Sequence, residues 1–210
     1  DAQDYGIPQR RKRAIILMSK INRWEFPAKV VKKSTVRDTI GHLPSVEAIV
    51  REKEYRIKGN DQKIEICKKV HKWHIPRVHP WRHVEAMLNT PTGKSAFENK
   101  IYYPKKTDGT RVKGYNTTYK RMKWDEPAPT ITMANGAISS QCNVHPGRKN
   151  DDGTYSDARA LTIYELMLLS TLPDDWNIPD CASDTLIRQV IGEGIPPLLI
   201  KKIVENINIR

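Results

Sequence analysis

The sequence predicts an α/β chain, and three stretches carry this prediction. Residues 14–18 form an apolar run of strand length, which suits a strand buried on both faces. Residues 90–123 are divided by glycines into short strands and turns, and Asp108-Gly109 is a hairpin signal. Residues 159–210 carry helix starts, apolar helical spacing and helix stops. The length of 210 residues allows one domain with a real core or two small ones.

Charge is distributed unevenly along the chain. The formal net charge is +12, with +17 on residues 1–150 and −5 on residues 151–210. A basic body with a slightly acidic tail favours a nucleic-acid surface over a merely soluble basic one. A hydrophobic content of 38% argues against disorder, and no apolar run is long enough to cross a membrane. Three widely spaced cysteines argue against a disulfide framework and predict a reducing, cytoplasmic compartment.

The first residues combine a turn with a row of planar donors. Gly6 and Pro8 mark the turn. Gln9, Arg11 and Arg13 are spaced two apart, so an extended chain points all three to one face. The arginine fork donates two parallel hydrogen bonds, which suit phosphate oxygens and the acceptor edge of a base.

The next stretch predicts a short helix followed by a charged region. Ser34 is placed to cap a helix that Pro44 ends. Residues 45–75 are strongly charged, and we interpret them as a solvated helix or a long excursion.

Residues 67–83 are rich in side chains that can bind zinc. They are Cys67, His71, His74, His79 and His83. Their spacing matches no paired ligand pattern, and Pro76 and Pro80 interrupt any helix that would place ligands four residues apart. We therefore expect a polar surface loop and no metal site. The alternative is a stand-alone basic DNA-binding module that contains zinc.

Residues 90–123 interleave basic and aromatic side chains and predict a nucleic-acid surface. Lys94, Lys120 and Arg121 are the candidate phosphate contacts in and beside this stretch. The alternative is a β-rich surface whose tyrosines pack on its own core.

Two prolines then hold the backbone extended around Thr130. With the backbone extended by Pro127 and Pro129, Thr130 can present its hydroxyl to a ligand. The alternative is an ordinary edge strand entered through prolines.

The last fifty residues predict helices. Thr162 and Glu165 have the spacing of a capping box. Asp184 is placed to cap a second segment that two glycines break, and Pro196 restarts a helix at its first turn. The apolar stripe of this last helix is Leu199, Ile203 and Ile207.

Three of these stretches resemble conserved blocks of the DNA (cytosine-5) methyltransferases. Residues 5–13, Tyr-Gly-Ile-Pro-Gln-x-Arg-x-Arg, are similar to the eighth block. Residues 159–165, Arg-x-Leu-Thr-x-x-Glu, followed by Leu-Pro-Asp-Asp-Trp, are similar to the ninth. Residues 189–197, Gln-x-Ile-Gly-x-x-x-Pro-Pro, are similar to the tenth. Between them, Thr130-Ile131 resembles the pair that ends the family's target-recognition region.

The resemblance implies a fold and a set of units. The fold is the end of the S-adenosylmethionine-dependent, Rossmann-like sheet, a β-rich target-recognition domain and a returning C-terminal helix. The implied units are residues 1–22 (last strands of the catalytic domain), 23–158 (recognition domain), 159–182 (bracing helix) and 183–210 (returning helix).

The resemblance also implies a DNA site. Arg11 and Arg13 would act on the side of a flipped target cytosine, and Gln9 would order that edge. Together with the basic residues above, the predicted DNA-binding set is Gln9, Arg11, Arg13, Lys94, Lys120, Arg121, Thr130 and Thr132.

A cofactor segment and a structural set are implied in the same way. Gly192, Glu193 and Gly194 would close the pocket for S-adenosylmethionine, with Glu193 in place of the usual Asn. A carboxylate there would repel the carboxylate of the cofactor. The structural set is Arg159, Thr162 and Glu165.

The family's catalytic motifs do not occur in this sequence. None of Cys67, Cys142 and Cys181 follows a proline, and the Phe-x-Gly-x-Gly loop and the Glu-Asn-Val triplet are missing. We therefore expect the C-terminal portion of a restriction-modification methyltransferase, truncated or processed because Asp1 replaces a starting methionine. It would be inactive alone and completed by an N-terminal half or a partner subunit. It would act on double-stranded DNA at the bacterial nucleoid and self-associate through exposed apolar surface.

Overall fold

The computed structural model describes residues 1–20 and 23–208. The predicted first and last units, 1–22 and 183–210, each end in residues outside this range. The α-helices of the described residues are α1 (Val36–Ile40), α2 (Asn60–Val70), α3 (Trp81–Leu88), α4 (Ile163–Leu169), α5 (Asp184–Glu193) and α6 (Pro197–Glu205). Short 3-10 helices lie at Ala2–Tyr5, Lys53–Tyr55 and Ala96–Glu98. Among the described helices, none is long and apolar enough to cross a membrane.

Strand pairing is sparse in the described chain. The strands are β1 (Arg23–Trp24), β2 (Ile49–Val50), β3 (Val78–His79) and β4 (Ile207–Asn208). β1 pairs with β4 in the antiparallel sense, and β2 pairs with β3 in parallel. Isolated bridges join further segments, including one between Gln9 and Ala128. Helices therefore carry most of the regular structure.

The main apolar core forms where α1, α4 and α5 pack together. Ile40, Leu166, Ile187 and Ile191 are buried there, because each helix turns one apolar stripe toward the others. Full burial of each such side chain contributes about 1.5–3 kcal/mol. A second cluster joins α3 to residues 119–158.

The apolar run at residues 14–18 does not form the predicted strand. Ile16 and Met18 are 81% and 84% exposed, while Ile15 and Leu17 pack half-buried against the N-terminal turn and α6. A strand buried on both faces needs paired neighbours, and no described segment pairs with this run. The predicted exposed apolar surface is confirmed at Ile16 and Met18, whereas self-association stays a prediction.

The predicted hairpin at Asp108-Gly109 is confirmed. Lys105 and Arg111 form an antiparallel bridge on either side of the turn. Gly109 has a φ of 81°, the left-handed conformation that favours glycine. The described residues from 23 to 158 contain only three two-residue strands, β1 to β3, which is less strand than the predicted β-rich domain requires.

Buried arginines explain why so few strands are needed. Arg11, Arg121, Arg159 and Arg188 are among the largest fully buried side chains of the described residues. Each donates hydrogen bonds to backbone carbonyls of remote segments. Carbonyls that a sheet ladder would pair are satisfied by guanidinium donors instead.

The predicted capping box at the start of α4 is confirmed. The Thr162 hydroxyl accepts from the Glu165 amide at 3.2 Å, and the Glu165 carboxylate accepts from the Thr162 amide at 2.7 Å. The Thr162 hydroxyl also bonds His74 Nδ1 at 3.0 Å. Because all three residues are buried, this cap is part of the core.

The other two predicted caps are displaced by one residue. α1 is capped by Thr35, because the Ser34 hydroxyl donates to a carbonyl of the N-terminal turn. α5 is capped by Ser183, because the Asp184 carboxylate accepts from Arg188 Nε at 3.0 Å.

Gly192 lies inside α5 and does not break the helix as predicted. A Cβ at this position would lie 2.3 Å from the carbonyl oxygen of Thr132, so glycine permits a close approach of two backbones. The break predicted at Gly194 is confirmed, since the helix ends at Glu193 with Gly194 as its C-cap. In α6 the predicted stripe is confirmed at Leu199 and Ile203, but it is wrong at Ile207, which lies beyond the helix in β4.

Replacing Thr162 by valine should cost more stability than the same replacement at Thr35. Valine at 162 leaves the Glu165 amide and His74 Nδ1 without a partner in a buried setting, at about 1–3 kcal/mol each. The Thr35 cap lies near the surface, and its loss should cost about 1 kcal/mol. Urea unfolding of the two variants measures the difference, and equal losses would contradict a core role for this cap.

Candidate nucleic-acid interface

The site is built where residues 8–11 run beside residues 128–131. The Arg10 amide donates to the Ala128 carbonyl at 2.8 Å, and the Ala128 amide donates to the Pro8 carbonyl at 2.9 Å. Gln9 extends this pairing, since its Oε1 accepts from the Ile131 amide at 3.3 Å. These contacts fix the loop that carries Thr130 against the N-terminal segment.

Side chains of this segment alternate between the interior and the surface. Gln9 and Arg11 are each 1% exposed, whereas Arg10 and Arg13 are exposed. The predicted alternation is confirmed for Gln9 and Arg11, but they point into the protein. The prediction that Gln9, Arg11 and Arg13 share one face is therefore wrong at Arg13.

The buried Arg11 guanidinium joins three segments. Nη1 donates to the Ile131 carbonyl at 2.8 Å. Nη2 donates to the carbonyls of Gly192 and Glu193 at 2.8 and 3.0 Å. Burial, and then the positive charge of Arg13, lower the pKa of Arg11. The Nη donors predicted to meet DNA are used inside the chain.

A basic groove of about 420 Å³ opens beside Thr130. Thr130 is exposed and donates its hydroxyl to the Arg10 carbonyl at 2.7 Å. Arg10, Lys120 and Lys123 line the groove. Glu126 pairs with Arg10 and with Lys123, at 2.5 Å each. Lys120 makes no ion pair within residues 1–20 and 23–208, so its charge is available to a ligand.

Arg10 and Lys123 were outside the predicted set. The signal for Arg10 was present, since the alternation that buries Gln9 and Arg11 turns Arg10 outward. Lys123 carries no signal that separates it from the other lysines of the basic stretch.

Arg13 lies away from this groove. It lines a separate pocket of about 230 Å³ together with Tyr5, Arg11 and Phe26. Its Nη1 donates to the Lys12 carbonyl at 2.8 Å. Arg13 and Thr130 therefore line different pockets.

Arg121 is buried where it lines the basic groove, and its predicted DNA contact stays a prediction. It donates to the carbonyls of Met87 and His145 at 2.8 Å each, and to that of Tyr155 at 3.2 Å. Burial lowers the pKa of Arg121 to about 10, which leaves it charged at neutral pH. Its donors are hydrogen-bonded to backbone carbonyls between α3 and residue 158.

Lys94 and Thr132 occupy different surroundings. Lys94 is exposed and pairs with Glu98 at 3.1 Å, away from the groove lining. Thr132 is half-buried, and its carbonyl accepts from Asn135 Nδ2 at 2.7 Å. Their predicted DNA contacts stay predictions.

Arg159 holds a buried charge network. Its fork donates to both oxygens of Glu165 at 2.8 Å, and Nη2 donates to Asp157 at 2.9 Å. Nε donates to the Val46 carbonyl at 2.7 Å. Burial opposes ionisation of Glu165, but Arg159 outweighs it and lowers the pKa of Glu165 to about 2. This geometry fits the structural role predicted for Arg159 and Glu165.

The histidines are used in local contacts. His71 stacks on Tyr164, His74 bonds Thr162, His79 accepts from the Ala160 amide, and His83 bonds the Tyr119 hydroxyl. A polar surface loop is therefore wrong for His74 and His79, which are buried. Within the described residues, no group of three or more histidine, cysteine or acidic side chains is placed to hold a metal ion. The zinc-containing alternative has no structural support.

Comparison with known proteins identifies the chain's relatives. The model of the C-5 cytosine-specific DNA methylase family matches residues 1–208. The chain belongs to this family. The methylase chain is 53% identical to the Type II methyltransferase M1.HgaI of Avibacterium volantium over 208 residues, which is 99% of this chain and 53% of that protein.

Two further relatives match smaller parts. M1.BsuMI of Bacillus subtilis is 32% identical over 49% of the chain and 23% of its own length. M.AquIB of Picosynechococcus sp. is 27% identical over 47% of the chain and 68% of its own length. Both are Type II methyltransferases. The methylase chain spans about half the length of M1.HgaI.

C-5 DNA methyltransferases use S-adenosylmethionine, and the cofactor contact of residues 192–194 stays a prediction. An apolar pocket of about 100 Å³ adjoins this segment, lined in part by Trp176 and Ile191. A small-molecule site usually has at least about 300 Å³, so this pocket alone is too small for such a ligand. The Glu193 carboxylate accepts from Gln189 Nε2 at 3.0 Å.

The methylase chain should lose stability as the pH falls from about 6.5 to about 4. Burial lowers the pKa of His145 to about 4 from its usual 6.5. The unfolded chain therefore binds this proton first, and the stability present above pH 6.5 is lost on the way to pH 4. His79 and His83 shift in the same direction, also through burial.

His145→Asn should make this pH dependence shallower. One histidine contributes at most about 1.4 kcal/mol per pH unit to the slope. Asparagine keeps an acceptor for the Gly147 amide, which His145 Nδ1 now binds at 3.1 Å. Urea unfolding at several pH values measures both slopes, and equal slopes would show that His145 does not titrate in this range.

Proposed function

We propose that this methylase chain is the DNA-recognition and cofactor-pocket-completing portion of a type II DNA (cytosine-5-)-methyltransferase. One observation carries the proposal. The Thr130–Thr132 loop, the N-terminal segment and residues 192–193 are joined at Arg11 beside a basic groove. This joint supports the proposal, since the segment assigned to DNA and the segment assigned to the cofactor are held by one side chain.

The groove suits a duplex backbone. Lys120, which makes no ion pair within the described residues, offers its charge to a phosphate beside Thr130, whose hydroxyl holds the Arg10 carbonyl at the same groove. Phosphate contacts fix the register of a protein on DNA, while base edges are read by other groups. We assign base reading to residues 80–123 and the side of the flipped cytosine to Arg13, which is exposed.

The nucleophile comes from outside this sequence. A thiolate is the reactive form of cysteine, and burial raises the pKa of Cys67 to about 11 and also raises the pKa of Cys142. None of the chain's cysteines follows a proline. A catalytic segment with a Pro-Cys pair, as an N-terminal half or a partner subunit, completes the enzyme. S-adenosylmethionine supplies the methyl group that C5 of cytosine receives.

The units follow from this assignment. Residues 1–22 belong with the catalytic domain, residues 23–158 recognise DNA, residues 159–182 brace them, and residues 183–210 return to the catalytic domain. The Arg159 network supports the bracing, since it binds α4 to the Val46 carbonyl. The enzyme works on bacterial DNA at the nucleoid as the modification half of a restriction-modification pair.

Methyl transfer should require both portions. We expect tritiated methyl groups from S-adenosylmethionine to enter duplex DNA as 5-methylcytosine only when this chain is combined with the catalytic half. Each portion alone is the control. Transfer by this chain alone, or a product other than 5-methylcytosine, would overturn the proposal.

Lys120→Ala should weaken DNA binding and its salt dependence. Loss of one phosphate contact reduces the slope of log affinity against log salt by about 1. Lys69→Ala is the matched control, because Lys69 is exposed on α2 and does not line the groove. Fluorescence anisotropy of a labelled duplex at several salt concentrations gives both slopes. Equal slopes in the two variants would remove Lys120 from the interface.

A further inference from the structure

We propose that Arg11 is a positioning residue that couples the cofactor-side segment, residues 192–193, to the DNA-side loop, residues 130–132. This inference rests on the proposed function. Arg11 touches neither ligand in the proposal. It acts by holding the two backbones that do.

One guanidinium bridges the two sides. Nη1 donates to Ile131 on the DNA side, and Nη2 donates to Gly192 and Glu193 on the cofactor side, all within 3.0 Å. Because the fork is planar and rigid, a shift of one carbonyl reorients the donor that the other uses. The Nε of Arg11 is buried without a hydrogen-bond partner among the described residues. Within the described residues, the side chain of Arg11 therefore donates hydrogen bonds through Nη1 and Nη2 alone.

The two backbones are also in direct contact. A Cβ at Gly192 would lie 2.3 Å from the Thr132 carbonyl oxygen. Asn135 Nδ2 donates to the carbonyls of Thr132 and Arg188, at 2.7 and 3.0 Å. Arg188 belongs to α5, the helix that carries Gly192. Displacement of α5 is thus transmitted to the loop.

Gln9 holds Arg11 from behind. Its Oε1 accepts from Arg11 Nη1 at 3.4 Å and from the Ile131 amide at 3.3 Å. Its Nε2 donates to the carbonyl of Leu169 at the end of α4 at 3.4 Å. The guanidinium is therefore fixed against the main core, and the two segments move with respect to a common anchor.

Coupling of this kind is reciprocal. If the cofactor side is ordered by a ligand, the affinity for DNA rises by the same factor by which DNA raises the affinity for that ligand. Factors of about 5 to 150 are typical. The proposal predicts that the size of this factor depends on the hydrogen bonds of Arg11.

The test uses the complete methyltransferase and S-adenosylhomocysteine, the unreactive demethylated form of the cofactor. The dissociation constant for a cognate duplex is measured with and without it. We expect the wild-type ratio to be at least about 5. In Arg11→Lys it should fall below about 2, because a lysine ammonium cannot reproduce the planar two-sided fork. Arg37→Lys, at an exposed arginine that pairs with Asp125, should keep the wild-type ratio.

The outcomes separate the inference from the proposed function. A wild-type ratio of 1, or an unchanged ratio in Arg11→Lys, overturns the coupling while the enzyme still binds both ligands. A complete enzyme that binds neither duplex nor S-adenosylhomocysteine overturns both.

A second measurement needs no variant. S-adenosylhomocysteine alone should slow amide hydrogen exchange in wild-type peptides that cover residues 128–134. Unchanged exchange there, with the ligand bound, overturns the coupling even where Arg11→Lys does not fold.

Discussion

Hydrogen bonds from buried guanidinium groups to backbone carbonyls are the interaction on which this structure depends. Arg11, Arg121, Arg159 and Arg188 are fully buried and reach carbonyls far away in sequence. A buried charge is costly unless nearly all of its donors are used. Each arginine is therefore stable only when the correct segments surround it. This requirement specifies the fold of a chain that has few strands.

Local signals allowed much of the helical structure to be predicted. The Thr162–Glu165 box and the stripe at Leu199 and Ile203 depend on neighbours within four residues, and both are present. The strand predicted at residues 14–18 is absent, because a strand depends on a pairing partner that composition does not reveal. The sequence did not reveal the burial of Arg121 for a related reason. An arginine in a basic stretch gives the same sequence pattern whether its side chain binds phosphate oxygens or backbone carbonyls.

The site shows the same division between local and long-range information. Alternation at Gln9 and Arg11 was correct, but the pattern does not say which face is buried. The groove that brings Arg10 to Lys120 and Thr130 depends on contacts across more than one hundred residues. Resemblance to family blocks drew attention to the segments that meet there. The carbonyl contacts of Arg11, which the blocks do not describe, show how the segments are held.

Comparison of Arg121→Lys with Arg56→Lys tests the central interaction most directly, with the free energy of unfolding as the measured quantity. Arg56 is 71% exposed and pairs with Asp61 at the surface. We predict a loss of about 3 kcal/mol or more at Arg121, because several charge-assisted bonds to buried carbonyls are broken, and less than about 1 kcal/mol at Arg56. Losses below 1 kcal/mol in both variants would contradict the view that buried arginines hold this fold together.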